Sequence, residues 1–233
     1  MKDKLQLLFR GHFSLFKTLY LNFRVLPFRQ AFRMPFIVSR DVRIRGCQKG
    51  SIKILSEPKI FMISFGFGGS PDLTLYNSRK SVLEIDKNAQ LIFKGKAHFA
   101  PHFSVLVKDG AIMTIGSGFS CNNGCKFSCS SGIMLGDNCL LGGDVIIRDS
   151  DGHMVFTQPI DGSPRTTHKC CKPVAIGNHV WICNKSDILK GVTIGDDCIV
   201  SYGSLVVKSF PQNHLLIGGH PAVAIMENVE WER

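Results

Sequence analysis

Long apolar runs are missing from the amino-terminal part of this 233-residue chain. Within residues 1–35 the longest uncharged stretch falls far short of the roughly 20 residues that cross a bilayer, which excludes a spanning helix there. Tryptophan and tyrosine are scarce, two and three residues, and they form no stacking stripe. With no recognisable nucleic-acid motif either, no nucleic-acid partner is expected. Acid is also in deficit: 18 Asp and Glu stand against 28 Lys and Arg, a formal net charge of +10. That excess favours phosphate-bearing cofactors, acidic glycans or an anionic membrane surface, without choosing among them. A secretory leader pattern is lacking, since Lys2, Lys4 and Arg10 are not followed by an apolar run and a small-residue cleavage site. The nine cysteines are an odd number, which suits no closed disulfide framework. They read as reduced thiols in a cytoplasmic protein. Cys121, Cys125 and Cys129, and the pair Cys170 and Cys171, have a metal-like spacing. No second CxxC or HxxxH set completes it, so small core fillers are expected and a metal is not.

What is present is a globular composition, 44% apolar and 20% charged, long enough for one domain with a full core. In residues 1–36, Leu5, Leu8, Phe9, His12, Phe13, Phe16, Leu19, Tyr20 and Phe23 recur at three- and four-residue steps among basic residues. This predicts an amphipathic basic helix. Two uses stay open for it: packing on the body or a neighbouring subunit, or lying on an anionic membrane.

From residue 37 the helical period gives way to a period of six. Apolar residues recur at Ile85, Leu91, Ala97 and Phe103, then at Ile115, Cys121 and Phe127. A two-residue slip follows, and the phase resumes at Leu135, Leu141 and Ile147. After an interruption it returns at Ile176, Ile182, Ile188, Ile194, Val200 and Val206. Glycine follows the repeat start at 116, 136, 142, 177 and 195, and a small residue tends to sit four after it, Cys125, Cys139 and Cys198 included. Six residues per repeat fits a solenoid with three short faces per turn, an inward aliphatic on each face and glycine at the corners. Residues 37–225 are assigned to it, with an excursion over 153–173 and a tail over 226–233.

These repeats resemble the hexapeptide-repeat acyltransferases. The run KPVAIGNHVWICNKSDILKGVTIGDDCIVSYGSLVVKSFPQNHLLIGGHPAVAI and the stretch IIRDSDGH are similar to the xenobiotic and polysaccharide O-acetyltransferase branch of that family. The basic stretch LYLNFRVLPFRQAFRMPFIV resembles the lead-in of capsular polysaccharide acetyltransferases. The resemblance implies an all-β, left-handed parallel β-helix, an exception to the usual right-handed crossover. It further implies a homotrimer that uses acetyl-CoA, with donor grooves between subunits.

Acetyl transfer to a hydroxyl needs a base, an oxyanion contact and a positioning groove. His153 stands one hexad after Ile147, where an apolar residue is due and the repeat breaks, and the resemblance makes it the general base. Asp149 and Asp151 precede it; one of them would orient the imidazole, with Asp151 preferred as nearer, or they bond loop amides or the acceptor. Asn122 is a candidate oxyanion or acceptor contact or a plain corner residue. Trp181, Gly203, Ser204, Lys208 and Pro221 match the family's donor-binding stretches, whereas Val223 stands where a basic residue is frequent and Cys183 replaces a usual glycine. The expected activity is acetyl transfer from acetyl-CoA to a sugar hydroxyl of a cell-surface glycan or its precursor. Rival readings are N-acetylation of a nucleotide-linked amino sugar, a zinc enzyme of the same fold needing three converging histidines, and an inactive scaffold.

Overall fold

The computed structural model describes residues 13–68, 80–157 and 167–232. The sequence-predicted helical residues Leu5, Leu8, Phe9 and His12 lie outside them. Ser14 caps helix α1 (Leu15–Val25), its hydroxyl accepting from the Lys17 amide at 3.3 Å. The helix stops at Leu26, which is extended because Pro27 follows. A single turn, α2 (Phe28–Ala31), leads into the strands.

The strands wind as coils of three. The first coil is β1 (Phe36–Val38), β2 (Val42–Arg45) and β3 (Ile52–Ile54); the second is β4 (Ile63–Phe65), β5 (Ser81–Ile85) and β6 (Gln90–Phe93). The third is β7 (Ala97–Phe99), β8 (Ser104–Val107) and β9 (Ile112–Ile115), and the fourth β10 (Phe119–Cys121), β11 (Lys126–Cys129) and β12 (Gly132–Leu135). The fifth coil, β13 (Leu140–Leu141) and β14 (Ile146–Arg148), is interrupted by a hairpin of β15 (Val155–Phe156) and β16 (Thr167–His168) before β17 (Val174–Ile176). β18 (Trp181–Ile182), β19 (Asp187–Ile188) and β20 (Thr193–Ile194) form the sixth. In the seventh, β21 (Ile199–Val200) and β22 (Leu205–Val206) are followed by a lone bridge from Phe210 to Ile194. β23 (Leu216–Gly219) opens an eighth coil, and β24 (Ala222–Met226) folds back antiparallel on it.

Like sides stack in parallel into three sheets: β1-β4-β7-β10-β13-β18-β21-β23, β2-β5-β8-β11-β14-β19-β22, and β3-β6-β9-β12-β17-β20. This is the expected parallel β-helix with a helical amino-terminal segment. The repeat starts Ile115, Leu135, Ile147, Ile176, Ile188 and Val206 are all buried inside it. The glycines after them answer a crowding problem. A Cβ on Gly116 would sit 2.1 Å from the Gly136 carbonyl oxygen, and one on Gly136 2.3 Å from that of Gly177, so this corner stacks backbone on backbone. The two-residue slip has a local cause. Ser117 and Asp137, on successive coils, are 20 residues apart, whereas Asn178 and Asp196 are 18 apart. The extra length falls where β11 continues to Cys129 and turns through Ser130 and Ser131.

Helix α1 packs on the first coil, but not through the expected stripe. Its buried face is Thr18, Leu21, Asn22 and Val25, while Phe16, Leu19 and Tyr20 point outward. The reason is polar. Asn22 accepts from the Phe36 amide at 3.1 Å and donates to the Phe36 carbonyl at 2.9 Å; Thr18 accepts from the Val38 amide at 3.0 Å. Two polar side chains thereby satisfy the free edge of β1.

Candidate active site

The excursion leaves the solenoid at the corner between the second and third sheets. Asp149, fully buried at the end of β14, accepts from the backbone amides of Ser130, Ser131 and Gly132, each at 2.7 Å. Charge-assisted bonds of this kind pin the turn one coil below. The Asp149 carbonyl takes the Lys172 amide at 2.9 Å, Asp151 donates its amide to the Cys170 carbonyl at 2.9 Å, and Ser150 bridges to Cys171. These contacts tie the two ends of the excursion into a narrow neck. The Asp151 carboxylate pairs with the ammonium of Lys190, which also donates to the Lys169 carbonyl at 2.9 Å. His153 follows two residues beyond this lock, exposed and without a hydrogen-bond partner among the described residues. Asp149 therefore serves loop amides, one of the two roles open to it, and Asp151 is held by a cation.

The other expected residues lie elsewhere on the same chain. Asn122 turns the corner between the first and second sheets, at the opposite end of the second sheet from the excursion; its amide donates to the Leu141 carbonyl at 2.9 Å. Its neighbour Asn123 is buried, with a side-chain oxygen that finds no donor. Trp181 is part-exposed on the first sheet, 5.9 Å from the Trp231 ring. Gly203 forms an open corner with φ +68° and free space where a Cβ would stand. Ser204 points inward, its hydroxyl donating to the Ser201 carbonyl at 2.6 Å. Lys208 sits over the Phe210 ring at 5.5 Å, at the mouth of a cavity of about 450 Å³ lined also by Gln212, Asn213 and Glu227. Pro221 tips the turn between β23 and β24. One chain thus places His153 two residues beyond the Asp151–Lys190 pair, with Lys208 on the same corner two coils further on, and leaves Asn122, Trp181, Gly203 and Pro221 elsewhere.

Sequence reasoning missed Lys190, a lysine among many until the coils stack. It also missed a cluster beside Trp181: His179 Nδ1 lies 2.8 Å from Asp197 Oδ1, and Trp231 stacks on the His179 ring at 4.2 Å. His179, Asp197 and His214 occupy the same corner of successive coils, each with positive φ.

The cysteines fill space. Cys121, Cys125, Cys129, Cys139 and Cys198 are buried, and the Cys125 thiol donates to the Gly142 carbonyl at 3.0 Å. Burial, with the Asp149 carboxylate beside it, pushes the Cys129 thiol up to about 12.

Comparison with known proteins agrees with this architecture. The model of the bacterial transferase hexapeptide, six repeats, matches residues 173–208. Polysialic acid O-acetyltransferase of Escherichia coli O1:K1 is 29% identical over 156 residues, 65% of this chain and 45% of its own length. Galactoside O-acetyltransferase of Escherichia coli K12 is 32% identical over 118 residues, 51% of this chain and 55% of its own. The chain spans about half the length of these curated relatives. Among solved structures, the polySia-specific acetyltransferase NeuO aligns at 25% identity and a TM-score of 0.43, covering 85% of this chain and 89% of that one. This chain carries the bacterial transferase hexapeptide over residues 173–208 and is similar to these O-acetyltransferases.

Proposed function

We propose that this protein transfers an acetyl group from acetyl-CoA to a sugar hydroxyl of a cell-surface glycan or its precursor, with His153 as general base. The observation behind the base is the neck. Three amides on Asp149 and the Lys190–Asp151 pair fix the point from which an exposed, unengaged imidazole projects. The two relatives are named as O-acetyltransferases of carbohydrates. Lys208, beside a polar cavity, suits the phosphates of the donor, although Glu227 shares that lining.

Bound acetyl-CoA supplies an activated thioester. His153 takes the proton of the acceptor hydroxyl as its oxygen forms the new bond to the acyl carbon. The carbon–sulfur bond breaks, and the imidazolium returns the proton to the leaving thiolate. No cysteine nucleophile is required. Since Asn122 stands at the corner between the first and second sheets, away from His153 and Lys208 at the corner between the second and third, a neighbouring copy in a homotrimer would complete the site. Nine unbridged cysteines favour a cytoplasmic setting.

The test is thiol release from acetyl-CoA by wild type and His153→Ala, against a panel of glycans and amino sugars. Expected is hydroxyl-dependent release that falls about 100- to 10,000-fold in the variant, with an unchanged melting temperature. Activity that survives the substitution would reassign the base. Release with amino sugars alone would make the reaction N-acetylation, and absence of acetyl-CoA binding by calorimetry would make the protein a scaffold.

A further inference from the structure

We propose that the outward face of α1 and α2 is a docking surface for an anionic lipid bilayer. The apolar stripe read from periodicity is on the outside. Leu15 is 60% exposed, Phe16 77%, Phe28 66% and Phe32 63%, with Leu19 and Tyr20 also exposed. These side chains form one patch. Phe16 and Tyr20 stack at 6.4 Å, and Phe23, Phe28 and Phe32 meet edge to face at 4.6 to 5.9 Å. Beside them a shallow apolar groove is framed by Phe16, Tyr20, Val42 and Ile44, with Arg43 and Arg45 at its rim.

Charge identifies the occupant. Between residues 13 and 49 the chain carries Lys17, Arg24, Arg29, Arg33, Arg40, Arg43, Arg45 and Lys49 against a single acid, Asp41. Arg29, Arg40 and Arg43 are exposed. A second copy of this chain would bring the same cations face to face, and the two would repel. A bilayer rich in anionic headgroups answers both halves of the patch: the rings enter the interfacial layer and the basic rim meets the phosphates. No described helix is long and apolar enough to cross a membrane, so the contact is peripheral. The patch covers the first coil and the excursion leaves the fifth. At about 4.8 Å per coil, His153 would stand about 20 Å above the docked end.

Flotation of the full-length protein with vesicles of phosphatidylcholine alone, or with phosphatidylglycerol added, tests this without any acetyl donor or acceptor. Its failure would leave the acetyl-transfer reading untouched. Expected is flotation with the anionic vesicles, weakened by salt, and none with the neutral ones. Phe16→Ser/Phe28→Ser/Phe32→Ser and, separately, Arg29→Glu/Arg43→Glu should each cut the bound fraction by about tenfold or more. All five side chains are exposed, so melting should stay near wild type, and the charge pair removes no apolar contact. Absence of flotation with anionic vesicles overturns the proposal, as does flotation that neither variant weakens. Self-association in sedimentation that the phenylalanine variant abolishes would show that a second copy covers the patch instead.

Discussion

The first four coils and the last three solve the same packing problem with different side chains. The early prism is filled by rings: Phe36, Phe65, Phe93, Phe99, Phe103, Phe119 and Phe127 are all buried, and Phe99 lies within 5.2 to 6.2 Å of Phe65, Phe119 and Phe127. The late prism holds Ile182, Ile188, Ile194, Val200 and Val206, with small Ser186, Cys198 and Ser204 beside them. Early strands run three to five residues and late ones mostly two. Late coils repeat at 18 residues, three sixes, which keeps one aliphatic per face in strict register. Early coils are longer, and their strands send more than one residue into the bore. A uniform repeat therefore belongs to a uniform bore, and irregular coils trade periodicity for large interlocking side chains.

The sharpest way to break this comparison is at the centre of the ring stack. Phe99→Ala should lower stability by about 3–5 kcal/mol in denaturant unfolding. A loss near 1 kcal/mol would mean that the rings are not what holds the early coils. Overpacking the narrow end comes next. Ile188→Phe should cost about 1–3 kcal/mol, and a neutral result would show that the late bore has room for a ring. The smallest effect sharpens the contrast at a corner of the fifth coil, between the two regions. Burial raises the Asp144 carboxyl above its ordinary value, the Lys185 charge partly opposing it. The folded state then holds that proton more tightly than the unfolded state, so wild type loses stability as pH rises from the ordinary carboxylate range through the raised value. Asp144→Asn should gain on wild type over that window and keep a constant lead above it, by less than either packing change. Parallel pH curves for the two proteins would refute the burial effect on Asp144.

How far the sequence speaks follows the same division. The late hexads, the glycine corners and the break at His153 were legible because each is a local pattern. The early coils were ragged because their length departs from three sixes. The role of Asp149 was one of two readings, and choosing it needed the stacking that brings Ser130, Ser131 and Gly132 beneath it. Periodicity gave α1 correctly as an amphipathic helix and left open which side it packs. Its inner face holds Thr18 and Asn22, whose value lies in hydrogen bonds to one strand edge and not in hydrophobicity.

That edge has a consequence for solubility. A stack of parallel strands ends in a row of amides and carbonyls ready to template another stack, so bare solenoids tend to grow into fibres. Here the Asn22 carboxamide occupies the hydrogen bonds of Phe36 that an incoming strand would seek, and at the far end β24 runs antiparallel. The two ends do not match each other. Asn22 covers the parallel edge at one end of the first sheet and β24 replaces it with an antiparallel one at the other, an arrangement that opposes end-to-end stacking.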